Sequence, residues 1–182
     1  MNANGLLVAV TMLGCLCAMS SGWARPESEQ EYDDAGLVKV GAKAPLFTLK
    51  DENGKEVKLE TFLGKKNVVL IFYPGDNTPG CTKQLCAVRD DYTLFQEADV
   101  AVFGVNPQSA ESHKKFSEKR DFPFPLLVDE EKRVLRLYGA KGILLTKRTV
   151  YGIDKKGRVV FAERGMPSNE TVLAAFQPTD QP

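Results

Sequence analysis

Apolar positions recur along this chain in two rhythms, and the switches between them mark its elements. Val68 to Tyr73 is an unbroken apolar run ending at Pro74, which predicts a central strand buried on both faces. Val100 to Val105 repeats the pattern and predicts a second buried strand. Between them Cys81, Leu85, Val88, Tyr92 and Phe95 recur at intervals of four, three, four and three, the stripe of an amphipathic helix packed on a sheet. Upstream, alternation over Leu46 to Leu49, then Asn53-Gly54, then Val57 and Leu59, predicts a β-hairpin whose turn wants positive φ. Downstream, Ala110 to Arg120 reads as a charged, solvated helix, Phe124 to Val128 as a short strand and Glu131 to Tyr138 as a helix. Thr149 to Ile153 and Arg158 to Glu163 read as a hairpin around Asp154 to Gly157, and Ser168 caps a last helix running to about Phe176.

The order βαβαβ followed by ββα is that of an α/β domain, a central mixed sheet flanked by helices, and a thioredoxin-like fold is its natural reading. With 182 residues the chain holds one compact domain plus short tails. The 24 Lys and Arg balance the 24 Asp and Glu, so net charge singles out neither nucleic acid nor an anionic membrane as a partner. No second histidine or cysteine cluster stands beside the single His113 to make a metal site.

The ends read differently from the middle. Leu6 to Met19 is almost wholly apolar, uncharged, and followed by Ser20, Ser21, Gly22, Trp23 and Ala24. Its length is short for a membrane span and suits the apolar core of a secretory signal, with Gly22 and Ala24 where a signal peptidase cuts. Residues 1–24 are therefore expected to be a signal peptide cleaved after Ala24, and the protein exported, with the bacterial periplasm as its compartment. An uncleaved membrane anchor or lipidation at Cys15 are the alternatives. Residues 25–36 are polar and acidic, the composition of a flexible leader; the domain is placed at 37–177 and a tail at 178–182.

Removing the signal leaves Cys81 and Cys86 as the two cysteines of the mature chain. A structural disulfide is one reading of so close a pair, although a loop enclosing four residues would add little stability. The segment from Pro74 to Cys86 points elsewhere. It joins a buried strand to a helix, where unpaired backbone N–H groups and the helix dipole favour negative charge, and the thiolate is the nucleophilic form of cysteine. Thr78 reads either as a turn residue or, from its offset, as a hydroxyl set beside the Cys81 sulfur, while Pro74 and Pro79 stiffen the loop. Arg148 reads either as a surface ion-pair partner or as a guanidinium that returns from a distant strand edge to stabilise a sulfur anion. Gln84 reads either as a hydrogen-bond donor near that pocket or as an exposed helix position. His113, set among charges, reads as part of a solvated helix face, and Phe47, Phe72, Tyr92 and Phe95 as core.

The spacing Pro74-x-x-x-Thr78-x-x-Cys81, with Cys86 five residues on, resembles the signature of the peroxiredoxins, and within them the peroxiredoxin Q or bacterioferritin comigratory protein subgroup. The similarity extends over about residues 37 to 177 through Phe72-Tyr73-Pro74, Arg89-Asp90, Gly104-Val105, Phe124-Pro125-Leu126-Leu127 and Arg148-Thr149. The resemblance implies a thiol peroxidase acting on hydrogen peroxide and organic hydroperoxides, without cofactor or metal. Cys81 would be the peroxidatic cysteine, Cys86 the resolving one that forms a disulfide with it, and Pro74, Thr78 and Arg148 the rest of the peroxide pocket. It further implies a thioredoxin or thioredoxin-like dithiol as reductant, and a monomer. Two features depart from the family: Asn106-Pro107-Gln108-Ser109 stands where Ser-x-Asp-Ser is usual, and export contrasts with many cytosolic relatives.

Helix geometry adds an expectation. Five residues of helix rise about 7.5 Å and turn the second side chain about 140° from the first, whereas a disulfide wants Cα atoms roughly 4.4 to 6.8 Å apart. If both cysteines are helical when reduced, the bond closes only after Thr82 to Val88 unwinds. Two rival functions are an exported thioredoxin-like protein disulfide oxidoreductase and a binding module with a structural bridge. The first usually presents Cys-x-x-Cys, and the second predicts a bridge resistant to mild reductants.

Overall fold

The computed structural model describes residues 30–177. The expected signal segment, the start of the acidic leader and the tail 178–182 lie outside the described residues. Among the described residues no helix is long and apolar enough to cross a membrane.

Among the described residues seven strands form one sheet. The hairpin comes first, as β1 (Thr48–Asp51) and β2 (Glu56–Lys58). Its turn is held by the Asp51 carboxylate, which accepts the backbone N–H groups of Asn53 at 2.9 Å and Lys55 at 2.8 Å, with Gly54 at φ +80°. A 3-10 turn at Leu59–Phe62 leads to β3 (Asn67–Phe72), followed by the helices α1 (Pro79–Asp90) and α2 (Tyr92–Glu97). Then come β4 (Val100–Asn106), α3 (Ala110–Arg120), β5 (Leu126–Val128) and α4 (Arg133–Leu137). The last elements among the described residues are β6 (Thr149–Ile153), β7 (Val159–Arg164) and α5 (Asn169–Ala174). Strand order is β2-β1-β5-β4-β3-β6-β7, with β3, β4 and β5 parallel and the other neighbours antiparallel. This is the mixed sheet with flanking helices of a thioredoxin-like fold.

The double burial of β3 follows from its central place. Val68, Leu70 and Phe72 face one core, with Leu59, Val134, Leu135, Tyr138 and Tyr151. Val69, Ile71 and Tyr73 face the other, under Cys81, Leu85 and Val88 of α1, Phe95 of α2 and Phe116 of α3. Each such side chain taken fully from water is worth about 1.5 to 3 kcal/mol, which is why an uninterrupted apolar run is stable here.

Two elements differ from the sequence expectation. The single stripe from Cys81 to Phe95 is carried by two helices, broken at Asp91 with φ −98° and ψ 14°. The Asn169 side-chain amide braces the break, donating to the Ala87 carbonyl at 3.0 Å and to the Asp91 carboxylate at 2.7 Å. Helix α3 is not wholly solvated, because His113 and Phe116, three apart, are both fully buried on its inner face. Within the acidic leader, residues 30–36 make specific contacts. Tyr32 bridges Val38, its hydroxyl donates to the Leu137 carbonyl at 3.0 Å, and the Asp33 carboxylate accepts from the N–H of Leu37 at 2.8 Å. Gly139, at φ +63°, lies so close to Gly36 that a Cβ there would sit 1.8 Å from the Gly36 oxygen.

Candidate active site

The site begins where β3 runs out. The Tyr73 N–H still bonds the Val105 carbonyl at 3.2 Å, and then residues 74–78 form the loop into α1. Asn77 takes φ +57°, a left-handed conformation that asparagine tolerates. Thr78 is the N-cap of α1 in extended conformation, and Pro79 at the first helical position starts the helix with a preset φ and no N–H. The amides of Gly80 and Cys81 are thus the first-turn donors without an intrahelical acceptor, and the positive end of α1 surrounds Cys81.

Cys81 is fully buried. Arg148 Nη2 donates to its Sγ at 3.2 Å, and Nη1 of the same guanidinium donates to the Oε1 of Gln84, one turn further along α1. Gln84 is itself buried, so it is not the exposed helix position of the second reading, and at the pocket its side-chain oxygen accepts from Arg148 instead of its amide donating. Strand register explains how Arg148 arrives from 67 residues away. β6 runs antiparallel to β3 with Thr149 opposite Phe72, so the residue before Thr149 lies beside the start of the loop after β3. Gly80 leaves room for the guanidinium, since a Cβ there would lie 3.3 Å from Arg148 Nη2.

The remaining expected residues fall close by. The Thr78 hydroxyl donates to the Gly75 carbonyl at 3.2 Å, so its hydrogen bond closes the loop instead of reaching the sulfur. Pro74 and Thr78 line a cavity of about 340 Å³ with Pro107, Gln108, Leu144 and Leu145. Cys86 is half-buried in the same helix as Cys81, and both are free thiols. Ideal helix geometry separates their Cα atoms by about 8.7 Å, beyond the reach of a disulfide without backbone movement.

Sequence reasoning missed the group beneath the loop. The Asp76 carboxylate accepts four side-chain hydrogen bonds: from the Tyr73 hydroxyl at 2.8 Å, Asn106 Nδ2 at 3.0 Å, the Ser112 hydroxyl at 2.6 Å and His113 Nδ1 at 2.8 Å. His113 is a correction to the expected solvated helix face; its side chain is 0% exposed, and its Nε2 lies 3.3 Å from the Leu127 carbonyl. The misreading came from its charged neighbours, whereas its spacing from Phe116 was the signal that could have found it. Burial alone would push the Asp76 carboxyl up, but the hydrogen bonds from His113 and Ser112, the charge of His113 and the Tyr73 bond hold it below the usual carboxylate range. Burial, followed by the charge of Asp76 and the hydrogen bond to it, pushes the Tyr73 phenol well up. Among the described residues no group of three or more His, Cys, Asp or Glu side chains can hold a metal ion.

Comparison with known proteins places this site in company. The family model described as AhpC/TSA matches residues 40–162. Peroxiredoxin Q, chloroplastic, of Triticum aestivum is 47% identical over 129 residues, covering 69% of this chain and 59% of the wheat protein. Peroxiredoxin Bcp of Bacillus subtilis is 38% identical over 148 residues, covering 77% of this chain and 94% of that protein. The crystal structure of Peroxidoxin BcpB from Mycobacterium tuberculosis superposes with a TM-score of 0.72 at 32% identity, covering 79% of this chain and 99% of that one. The chain thus spans less than two thirds of the wheat relative's length and nearly all of the bacterial ones.

Proposed function

Since the chain belongs to the AhpC/TSA family, we propose that it is a thiol-dependent peroxidase of the peroxiredoxin Q and Bcp kind, reducing hydrogen peroxide and organic hydroperoxides. One observation carries this: a cysteine at a helix N-terminus whose sulfur receives a hydrogen bond from a half-buried guanidinium, Arg148 to Cys81 at 3.2 Å. Both features stabilise a sulfur anion, and the guanidinium also faces the charge that develops as a peroxide bond breaks.

In the first step the Cys81 thiolate attacks one peroxide oxygen. The O–O bond breaks, the attacked oxygen stays on sulfur with its hydrogen as the Cys81 sulfenic acid, and the other oxygen takes a proton from solvent and leaves as water or an alcohol. Pro74 and Thr78 shape the pocket, Thr78 by fixing the loop through Gly75. In the second step α1 unwinds, the Cys86 thiol condenses with the sulfenic acid, and one water is released as the disulfide forms. An external thioredoxin-like dithiol then reduces the bridge by exchange through a mixed disulfide and is itself oxidised. No cofactor or metal takes part in these steps. The rival reading, a protein disulfide oxidoreductase, is not favoured by relatives that are named peroxiredoxins.

The deciding experiment follows peroxide loss with a dithiol donor. Native protein turns over; Cys81→Ser is inert; Cys86→Ser accumulates one equivalent of sulfenic acid at Cys81, detected by mass after dimedone trapping. Peroxide consumption undiminished in Cys81→Ser would refute the assignment. Export through residues 1–24 belongs to the same proposal, supported by the apolar run of Leu6 to Met19; the secreted form should begin at Arg25, and an N-terminus retaining Met1 would count against it. A monomer is expected in sedimentation analysis.

A further inference from the structure

The loop that carries the peroxide pocket is tied down by more groups than its short length requires. Residues 74–78 include Asn77 in the left-handed region, which asparagine enters more readily than most residues. Asp76, at the centre of that loop, is the anchor. Its carboxylate gathers Tyr73 from the end of β3, Asn106 from the end of β4, and Ser112 and His113 from α3. Its backbone N–H donates to Gln108 Oε1, and Gln108 in turn donates its own N–H to Asn106 Oδ1 at 2.7 Å. The same Gln108 oxygen would lie 2.9 Å from a Cβ on Gly75, so the loop is clamped from both sides.

His113 is the far end of this arrangement. One ring nitrogen faces the Asp76 carboxylate at 2.8 Å and the other lies 3.3 Å from the Leu127 carbonyl of β5, so the ring is held at both ends between two acceptors. Burying such a pair is costly in solvation and is no efficient route to stability; well-packed apolar residues often do as well or better. What the pair supplies is direction, because it fixes the Asp76 carboxylate relative to the sheet. Asn106 and Gln108 are both partners of Asp76, one through its carboxylate and one through its backbone N–H.

We propose that His113 is a positioning residue for the peroxidase reaction, acting through Asp76 to hold the Gly75 to Thr78 backbone where it aligns a peroxide on Cys81. His113 touches neither substrate nor sulfur in this role. The inference rests on the peroxidase reading, and its test separates the two.

Two rate constants are measured at Cys81 in the reduced full chain, followed by mass: oxidation by hydrogen peroxide, and alkylation by iodoacetamide, which needs the sulfur but not the aligned loop. In His113→Leu the peroxide rate falls at least tenfold while alkylation stays within threefold. His113→Gln, whose amide can still donate to Asp76, recovers part of the loss. A structural role alone would leave the ratio of the two rates unchanged, and an unchanged ratio in folded His113→Leu overturns the proposal. If circular dichroism shows that variant unfolded, Ser112→Ala decides: it removes one donor to Asp76 without stranding a charge, and a peroxide rate selectively lowered about threefold supports the proposal whereas a native ratio overturns it. Native protein inert to peroxide removes the peroxidase reading and this inference together; reactive native protein with unchanged variants removes only the inference.

Discussion

Closing a bond between Cys81 and Cys86 requires α1 to come apart, and Leu85 sets much of the energy needed. Leu85 lies between the two cysteines in sequence and is fully buried against Val69 and Ile71 in the core beneath α1. When the first turns of α1 unwind, that side chain goes to water. Truncation by Leu85→Ala lowers the stability of the closed helix by about 2 kcal/mol at the low end of measured Leu→Ala costs and leaves the unwound state nearly unaffected. Each 1.4 kcal/mol is a factor of ten, so the unwound state becomes about 30-fold more populated. A domain with about 5 to 15 kcal/mol in hand stays folded. The expected result is faster condensation of the Cys81 sulfenic acid with Cys86, approaching that factor, measured by rapid mixing with peroxide, acid quench and mass analysis of the water lost. In parallel, amide exchange over Thr82 to Val88 should be markedly faster in the oxidised native protein than in the reduced one. An unchanged condensation rate in folded Leu85→Ala, together with equal exchange in the two redox states, would refute the idea that helix unwinding governs this step.

Three further outcomes are expected. Arg148→Met removes a charge-assisted hydrogen bond worth about 1.5 to 3 kcal/mol, so the rate constant for hydrogen peroxide should fall about 10- to 100-fold with the melting temperature little changed; a loss under threefold would leave Arg148 no role at the sulfur. Gly80→Ala places a methyl 3.3 Å from Arg148 Nη2, and the displaced guanidinium should slow peroxide reduction by about threefold while alkylation of Cys81 persists, read from the same two rate constants. The Asp76 carboxyl titrates lower in the folded protein than its ordinary value of 3.8, so the stability it contributes is complete above that value and is lost as pH falls through the folded one. Melting temperatures followed downward from pH 5 should therefore drop more steeply in native protein than in Asp76→Asn, and equal slopes would deny Asp76 that part in acid unfolding.

Much of this molecule was legible in its spacing. The unbroken run Val68 to Tyr73 and Ser168 before a short helix appear where local pattern placed them, and the stripe beginning at Cys81 keeps its buried face although α1 and α2 share it, because periodicity of two or 3.6 is a property of neighbouring residues. The juxtaposition of Thr78, Pro79 and Cys81 is local too, so the start of α1 and the cysteine at its positive end could be read directly. Ser168 accepts the Thr171 N–H as a cap should.

What only the tertiary structure decided are the contacts that cross the sheet. Arg148 meets Cys81 because the antiparallel register of β6 on β3 sets Thr149 opposite Phe72, a pairing no spacing along the chain encodes. The break at Asp91 is braced by an amide on Asn169, 78 residues away. His113 shows the limit most clearly. A lone imidazole among lysines and glutamates reads as solvated until its partner is known, and that partner, Asp76, lies 37 residues earlier on another element. Sequence pattern reports how much a segment prefers water on average, whereas a buried polar group survives on hydrogen bonds supplied by whatever the fold brings beside it.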